Sequence, residues 1–240
     1  MTFRLGGYGI DYNNDPEAYA RAHVEFGYNA AYMPNIRLEN REEIAALVKA
    51  FAAANLVVAE GGAWKNLIAH DEAVRKANLE YAVHQLALGD EIGAGAIVAF
   101  HGTAGHPGDP WQLSDNYDYG PHPDNQSEAG FQRAVDTARY VIDMVKPKRT
   151  KFSLEMVPWL VTDTPENYLK LLKAIERPQF GTYRCCKHGH HTQIVFQHGQ
   201  DDPALLHPSR SLGRLMPRQG PGHEGRTGDD FLSPGRSGAW

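Results

Sequence analysis

The sequence predicts a parallel α/β fold of the (β/α)8 barrel type, built through about five strand–helix units and then broken off. Three observations predict it. Short apolar runs alternate with helical patterns from residue 3 to residue 181. These runs are nearly continuous in apolar residues, as strands of a parallel sheet covered by helices should be. Glu60, His101 and Glu155 each stand at the end of such a run, where barrel enzymes place their chemistry. The competing closure is an open doubly wound sheet. That fold should carry a glycine-rich phosphate turn between its first strand and helix, whereas Gly6-Gly7-Tyr8-Gly9 lies within the first run and lacks the helix spacing.

Taken in order, Phe3–Ile10 reads as a short glycine-rich strand. The first helix opens at Asp15-Pro16-Glu17, with a capping carboxylate, a proline suited to the first helical position and an acid at the positive helix end. It stops at Phe26-Gly27. Residues 29–34 form a second strand. Ile44, Leu47, Val48 and Phe51 lie at helical spacing and predict a helix from about Arg41 to Ala54. Leu56–Glu60 is a buried-type strand ending at Gly61-Gly62. A long helix runs from about Asp71 to Ile92, stopped by Gly93, and Ala96–Phe100 is the next strand. Residues 104–127 form a loop rich in Gly, Pro, Asp and Asn; loops of that length are functional or disordered. A helix from about Glu128 to Val145, the strand Lys151–Met156 and a helix from Pro165 to about Glu176 follow. Thr164 is the N-cap of the last helix, and its start, TPENY, echoes DPEAY at 15–19, as repeated units of one architecture would. Pro178–Gly181 looks like the beginning of a sixth strand.

Composition narrows the function classes. Residues 1–181 carry 17 basic and 24 acidic side chains and the remainder 7 and 5, so neither part is basic enough to point to nucleic acid. The first 181 residues contain no cysteine, which fits a reducing compartment. No signal peptide or membrane span is legible, and the expected location is the cytoplasm.

Four residues are candidates for chemistry. Glu155, in Phe152-Ser153-Leu154-Glu155-Met156, can ligate a divalent metal or take a proton from a carbon beside a carbonyl; an ion pair at the rim is the plain alternative. His101 can hydrogen-bond a substrate hydroxyl or simply order the loop after it. Glu60 can contact substrate or form a rim salt bridge. Trp64 can wall one face of a ligand or serve as loop packing.

The segments LVVAEGGAW at 56–64, ALGDEIGAGAIVAFHGT at 87–103 and above all FSLEMVPWLVTDTPENYLKLLKAIERPQFG at 152–181 resemble the sugar phosphate isomerase/epimerase group of xylose isomerase-like TIM barrels. The resemblance implies a divalent metal, manganese above all, held at the barrel mouth. Its ligands would be a Glu on strand five, an Asp on strand six, a His on strand seven and a Glu on strand eight. The two Glu residues would act as acid and base in epimerisation or aldose–ketose isomerisation of a small sugar or sugar phosphate. Glu155 takes the first of these positions. A metal-dependent endonuclease or hydrolase of the same superfamily, or a non-catalytic partial barrel, are the other readings.

The chain changes character after Gly181. Residues 182–240 hold both cysteines, six of the twelve histidines and six of the fifteen arginines, but one of the nine lysines. Cys185-Cys186-Lys187-His188-Gly189-His190-His191 contains zinc- and copper-type ligands, without the usual spacing or a second cluster. The family pattern of a His-x-Asp strand and a Cys-His-Ala-Lys-Asp strand is absent. Read one base later, the codons permitted for residues 182–189 allow His-Ile-Asp-Val-Val-Asn-Met, and those for residues 216–223 allow Cys-His-Ala-Lys-Asp-Leu-Ala. The expectation is a partial barrel over 1–181, followed by a poorly ordered, out-of-frame tail over 182–240 that leaves the polypeptide inactive, with exposed sheet edges.

Overall fold

In a computed structural model of the chain, residues 3–7, 9–106, 108–109 and 120–182 are described. The elements alternate without exception up to Ile175: α1 (Pro16–Glu25), β1 (Ala30–Tyr32), α2 (Arg41–Ala53), β2 (Val57–Ala63), α3 (Glu72–Ile92), β3 (Ala96–Ala99), a 3-10 turn (Pro123–Gln126), α4 (Glu128–Val145), β4 (Lys151–Leu154) and α5 (Pro165–Ile175). The helix starts follow from their caps. Asp15, Asn40, Asp71, Ser127 and Thr164 each accept a backbone N–H of the first turn.

Among the described residues the sheet has four strands, all parallel, in the order β1-β2-β3-β4. Order in space follows order in sequence, with no reversal of the kind that makes a doubly wound sheet. The chain therefore has a TIM-barrel-type parallel fold. Phe180 adds the start of a fifth position, bridging Phe152 in parallel, as the Pro178–Gly181 pattern predicts.

The two faces of the sheet are distinct. A Cβ on Gly61 would meet Met33 and Ile97, and one on Gly89 of α3 would also meet Ile97, so these residues look toward the helices. Ala31, Met33, Ile97, Ala99, Phe152 and Leu154 join Leu47, Phe51, Leu86, Ala138, Val141, Leu171 and Ile175 of the helices in one buried cluster. Alternation along a strand then puts Gly62, Val98 and Ser153 on the other, inner face. A Cβ on Gly181 would lie 3.0 Å from the Lys151 Cβ and 3.7 Å from the Ser153 Oγ, which places its backbone on the same inner side.

β3 and β4 end at Ala99 and Leu154 rather than at Phe100 and Met156, and three further boundaries differ from the sequence-based expectation. The described residues of Phe3–Ile10 form no strand. The Leu5 carbonyl accepts the Asn29 and Ala30 N–H groups, so the segment lies along β1, but Gly9 has φ +95°, which an extended strand does not accommodate. The second difference is that β2 does not end at Glu60; it runs through Gly61 and Gly62 to Ala63. Third, β1 is shorter than residues 29–34. The expected tail features, including Cys185, Cys186 and the histidines after them, lie outside the described residues.

Candidate active site at the strand ends

The register defines a rim. Ala63, Ala99 and Leu154 are aligned across β2, β3 and β4, so the next residues, Trp64, Phe100 and Glu155, stand side by side just past the three strand ends. The Glu155 N–H continues the ladder by donating to the Ala99 carbonyl at 2.9 Å. By alternation these three belong with Gly62, Val98 and Ser153 on the inner face. The Trp64 and Phe100 rings are in contact, with centroids 4.9 Å apart and planes at 51°. Glu155 is 8% exposed.

Trp64 is held from below. Its indole Nε1–H donates to the Tyr32 Oη at 3.1 Å. A Cβ on Gly62 would fall 2.0 Å from that same Nε1 and 2.3 Å from the Tyr32 oxygen. The glycine is therefore the space into which the indole and phenol fold. The Gly61-Gly62 pair, which reads as a strand stop, is instead a stretch of strand with side chains packed close on both sides, Met33 and Ile97 on one and the Trp64–Tyr32 pair on the other. Burial pushes the Tyr32 hydroxyl up to about 12; the Glu60 charge adds to this and the Trp64 N–H opposes it.

Glu60 is placed differently from its expected position. It lies three residues before the end of β2, in register with Ala96, the first residue of β3. Its carbonyl accepts the Met33 N–H at 2.7 Å. The carboxylate is close enough to act on Tyr32, but it does not stand at the strand end beside Trp64 and Glu155.

His101 also departs from the rim. It lies two residues past the end of β3 and is 1% exposed, outside the aligned trio of Trp64, Phe100 and Glu155. Neither ring nitrogen has a hydrogen-bond partner. Burial holds the imidazole neutral, down to about 3, assisted by the positive charge of Arg133 on α4. The structure thus brings Trp64 and Glu155 onto one rim and leaves Glu60 and His101 off it.

Several rim residues have no counterpart in the sequence reading. Asn66 Oδ1 accepts the Thr103 and Ile68 N–H groups, and its Nδ2 donates to the Thr103 carbonyl at 3.0 Å. Asn125 Oδ1 accepts the Ala104 N–H at 2.8 Å, while its Nδ2 donates to the carbonyls of Gly120 and Trp159. Gln126 donates to the Pro158 carbonyl and to Asp163. Three side-chain amides therefore tie together the loops that follow β2, β3 and β4. An amide has both donors and an acceptor, so one residue can satisfy two loop backbones at once. The sequence signal was an Asn or Gln within Gly/Pro-rich loops, which looks the same as any turn residue.

Among the described residues, no group of three or more His, Cys, Asp or Glu side chains could hold a metal ion. Glu155 is a suitable oxygen donor, but the described residues do not amount to a four-ligand site. Among the described residues no helix is long and apolar enough to cross a membrane.

Comparison with known proteins adds the lineage. Three solved structures share the fold. One is the 3-keto-D-glucoside 4-epimerase YcjR from E. coli, with TM-score 0.56 and 13% identity over 75% of this chain and 66% of that one. A second is the D-psicose 3-epimerase from Clostridium cellulolyticum H10, solved with D-tagatose, with TM-score 0.54 and 15% identity over 76% and 63%. The third is AsbF from Bacillus anthracis, a probable 3-DHS dehydratase, with TM-score 0.52 and 14% identity over 77% and 62%. The chain spans less than two thirds of the length of each. No curated protein sequence matches it. A family model described as xylose isomerase-like TIM barrel matches residues 20–236, most of the chain. The chain belongs to the xylose isomerase-like TIM barrel family.

Proposed function

We propose that the chain derives from metal-dependent isomerases or epimerases of small sugars or sugar phosphates, acting by proton transfer at a carbon beside a carbonyl. One observation carries this reading: the Glu155 carboxylate shares a strand-end rim with an aromatic wall, Trp64 and Phe100. Such a wall packs against the C–H face of a sugar and leaves its hydroxyls free for polar groups. Glu155 is the base that removes the α-proton, and the electron pair moves into an enediol. Reprotonation on the opposite face gives the epimer; reprotonation of the neighbouring carbon gives the isomer. Either outcome needs a second proton donor, and turnover needs the remaining family ligands. Sugar epimerases among the structural neighbours support the substrate class.

The finer reading is that residues from about Thr182 onward are translated out of frame, and that the family's strand-six Asp, strand-seven His and strand-eight Glu are missing for that reason. Manganese then belongs to the intact family and binds this polypeptide weakly. The gene sequence around codon 182 tests the first point: early stops in the second frame would end it. For activity, the measurement is exchange of the D-tagatose α-proton with deuterated solvent in the presence of manganese. The expected result is no exchange by the chain as written and measurable exchange by a frame-restored version. Glu155→Gln should lower the latter by about 10²–10⁴-fold. Equal exchange by both versions would contradict the proposal.

A further inference from the structure

A parallel ladder joins β4 to the segment after α5. The Phe152 N–H donates to the Gln179 carbonyl at 2.9 Å, and the Gly181 N–H donates to the Phe152 carbonyl at 2.8 Å. On that edge of β4 the next rungs are the N–H and C=O of Leu154, two residues along. Tyr168 of α5 takes them. Its phenol oxygen lies 3.2 Å from the Leu154 nitrogen, 2.9 Å from the Leu154 carbonyl and 3.1 Å from the Gly181 carbonyl. One hydroxyl has one proton and two lone pairs, so it accepts from Leu154 N–H and donates to one of the two carbonyls. The phenol bridges the two chains as an inserted water would. The ring is buried and stacked on Phe180, with centroids 6.0 Å apart, which leaves the hydroxyl little freedom.

The next residue is held in a different way. Glu155 donates its N–H to Ala99, on the β3 side. Its carbonyl accepts the hydroxyl of the fully buried Thr162 at 2.6 Å, and the Thr162 Oγ1 in turn accepts the Val157 N–H at 3.4 Å. Thr162 therefore closes the turn 155–162 onto Glu155 itself. Tyr168 fixes the residue before the carboxylate and Thr162 fixes the residue that bears it.

We propose that Tyr168 and Thr162 are positioning residues, which hold the end of β4 so that Glu155 stays on the inner rim. This rests on the reading of Glu155 as the proton-transferring carboxylate. Two measurements on the full chain test it, and neither needs a sugar. The first is residue-resolved amide hydrogen exchange. In the unmodified protein the Leu154 amide should be protected, and Tyr168→Phe should speed its exchange by about tenfold or more while the Phe152 and Glu155 amides keep their protection. The second is carbodiimide labelling of Glu155, read by mass spectrometry. Thr162→Val should speed labelling several-fold, and Thr162→Ser, which restores the hydroxyl, should return it to the original rate. A freely exchanging Leu154 amide in the unmodified protein, or one unchanged by Tyr168→Phe, overturns the role of Tyr168. Equal labelling of the Val and Ser variants overturns that of Thr162. Should Tyr168→Phe fail to fold, the unmodified Leu154 amide and the Thr162 pair still decide. Failure of the frame-restored version to exchange deuterium into tagatose, with both readouts as expected, would sink the sugar-isomerase reading and leave the positioning roles standing.

Discussion

The two faces of the same four strands are built to opposite rules. Toward the helices stand Met33, Ile97, Ala99, Phe152 and Leu154, apolar and interlocked with helix side chains. On the inner face stand Tyr32, Gly62, Trp64, Phe100, Ser153 and Glu155, mixed in size and polarity. The first set is what burial selects. The second contains an indole folded over a glycine, a buried hydroxyl and a carboxylate, groups that add little to a core and much to a site. A parallel strand buried on both sides can thus carry stability on one set of alternate positions and chemistry on the other.

Substitutions can break or sharpen this contrast. The largest effect is expected on the helix side: Phe152→Ala removes a fully buried ring and should cost about 3–5 kcal/mol, measured by urea unfolding. Next is the pH response of His101, buried just past the end of β3. Its folded-state value is pushed down to about 3, whereas the unfolded side chain titrates near 6.5. Between those limits the unfolded chain holds a proton that the folded chain refuses. Stability contributed by neutral His101 is complete above about pH 6.5 and falls by up to about 1.4 kcal/mol per pH unit as pH drops toward 3. His101→Gln should flatten that part of the stability profile; an unchanged slope would count against the assignment.

Inner-face changes should be smaller in stability and larger in what they do to the rim. Gly62→Ala sets a methyl on the indole nitrogen and phenol oxygen, and should cost about 1–3 kcal/mol and change the near-UV signal of Trp64. Tyr32→Phe keeps the ring but removes the acceptor of the Trp64 N–H, for about 0.5–1.5 kcal/mol. If Tyr32→Phe proved as costly as Phe152→Ala, the division between the faces would fail.

Much of this was legible in the chain. DPEAY and TPENY announce two helix starts, and Asp15 and Thr164 cap them as read. Glu155 stands at a strand end as expected, and the longer β2 brings Trp64, expected as a ligand wall or loop packing, beside it. Glu60 and His101 were misplaced for different reasons. Gly61-Gly62 has the local signature of a stop, and only the neighbours Met33, Ile97, Trp64 and Tyr32 show that the strand continues because no side chain would fit. His101 ends an apolar run like Glu155, but β3 stops two residues before it and its ring is buried. Asn66, Asn125 and Tyr168 carry little sequence signal, since their partners on other loops and strands, Thr103, Ala104, Trp159 and Leu154, lie 14 to 37 residues away.

The sequence by itself determined the alternation of strands and helices, the caps, the burial pattern and the lineage, because each depends on neighbours within a turn or a strand. Tertiary structure alone decided that the strands lie in consecutive order, which of them share a register and so which residues form one rim, and that a phenol from α5 fills a rung of the β4 ladder. Those depend on backbone groups far apart in the chain finding partners, and a buried N–H or C=O takes whichever donor or acceptor the packing brings to it.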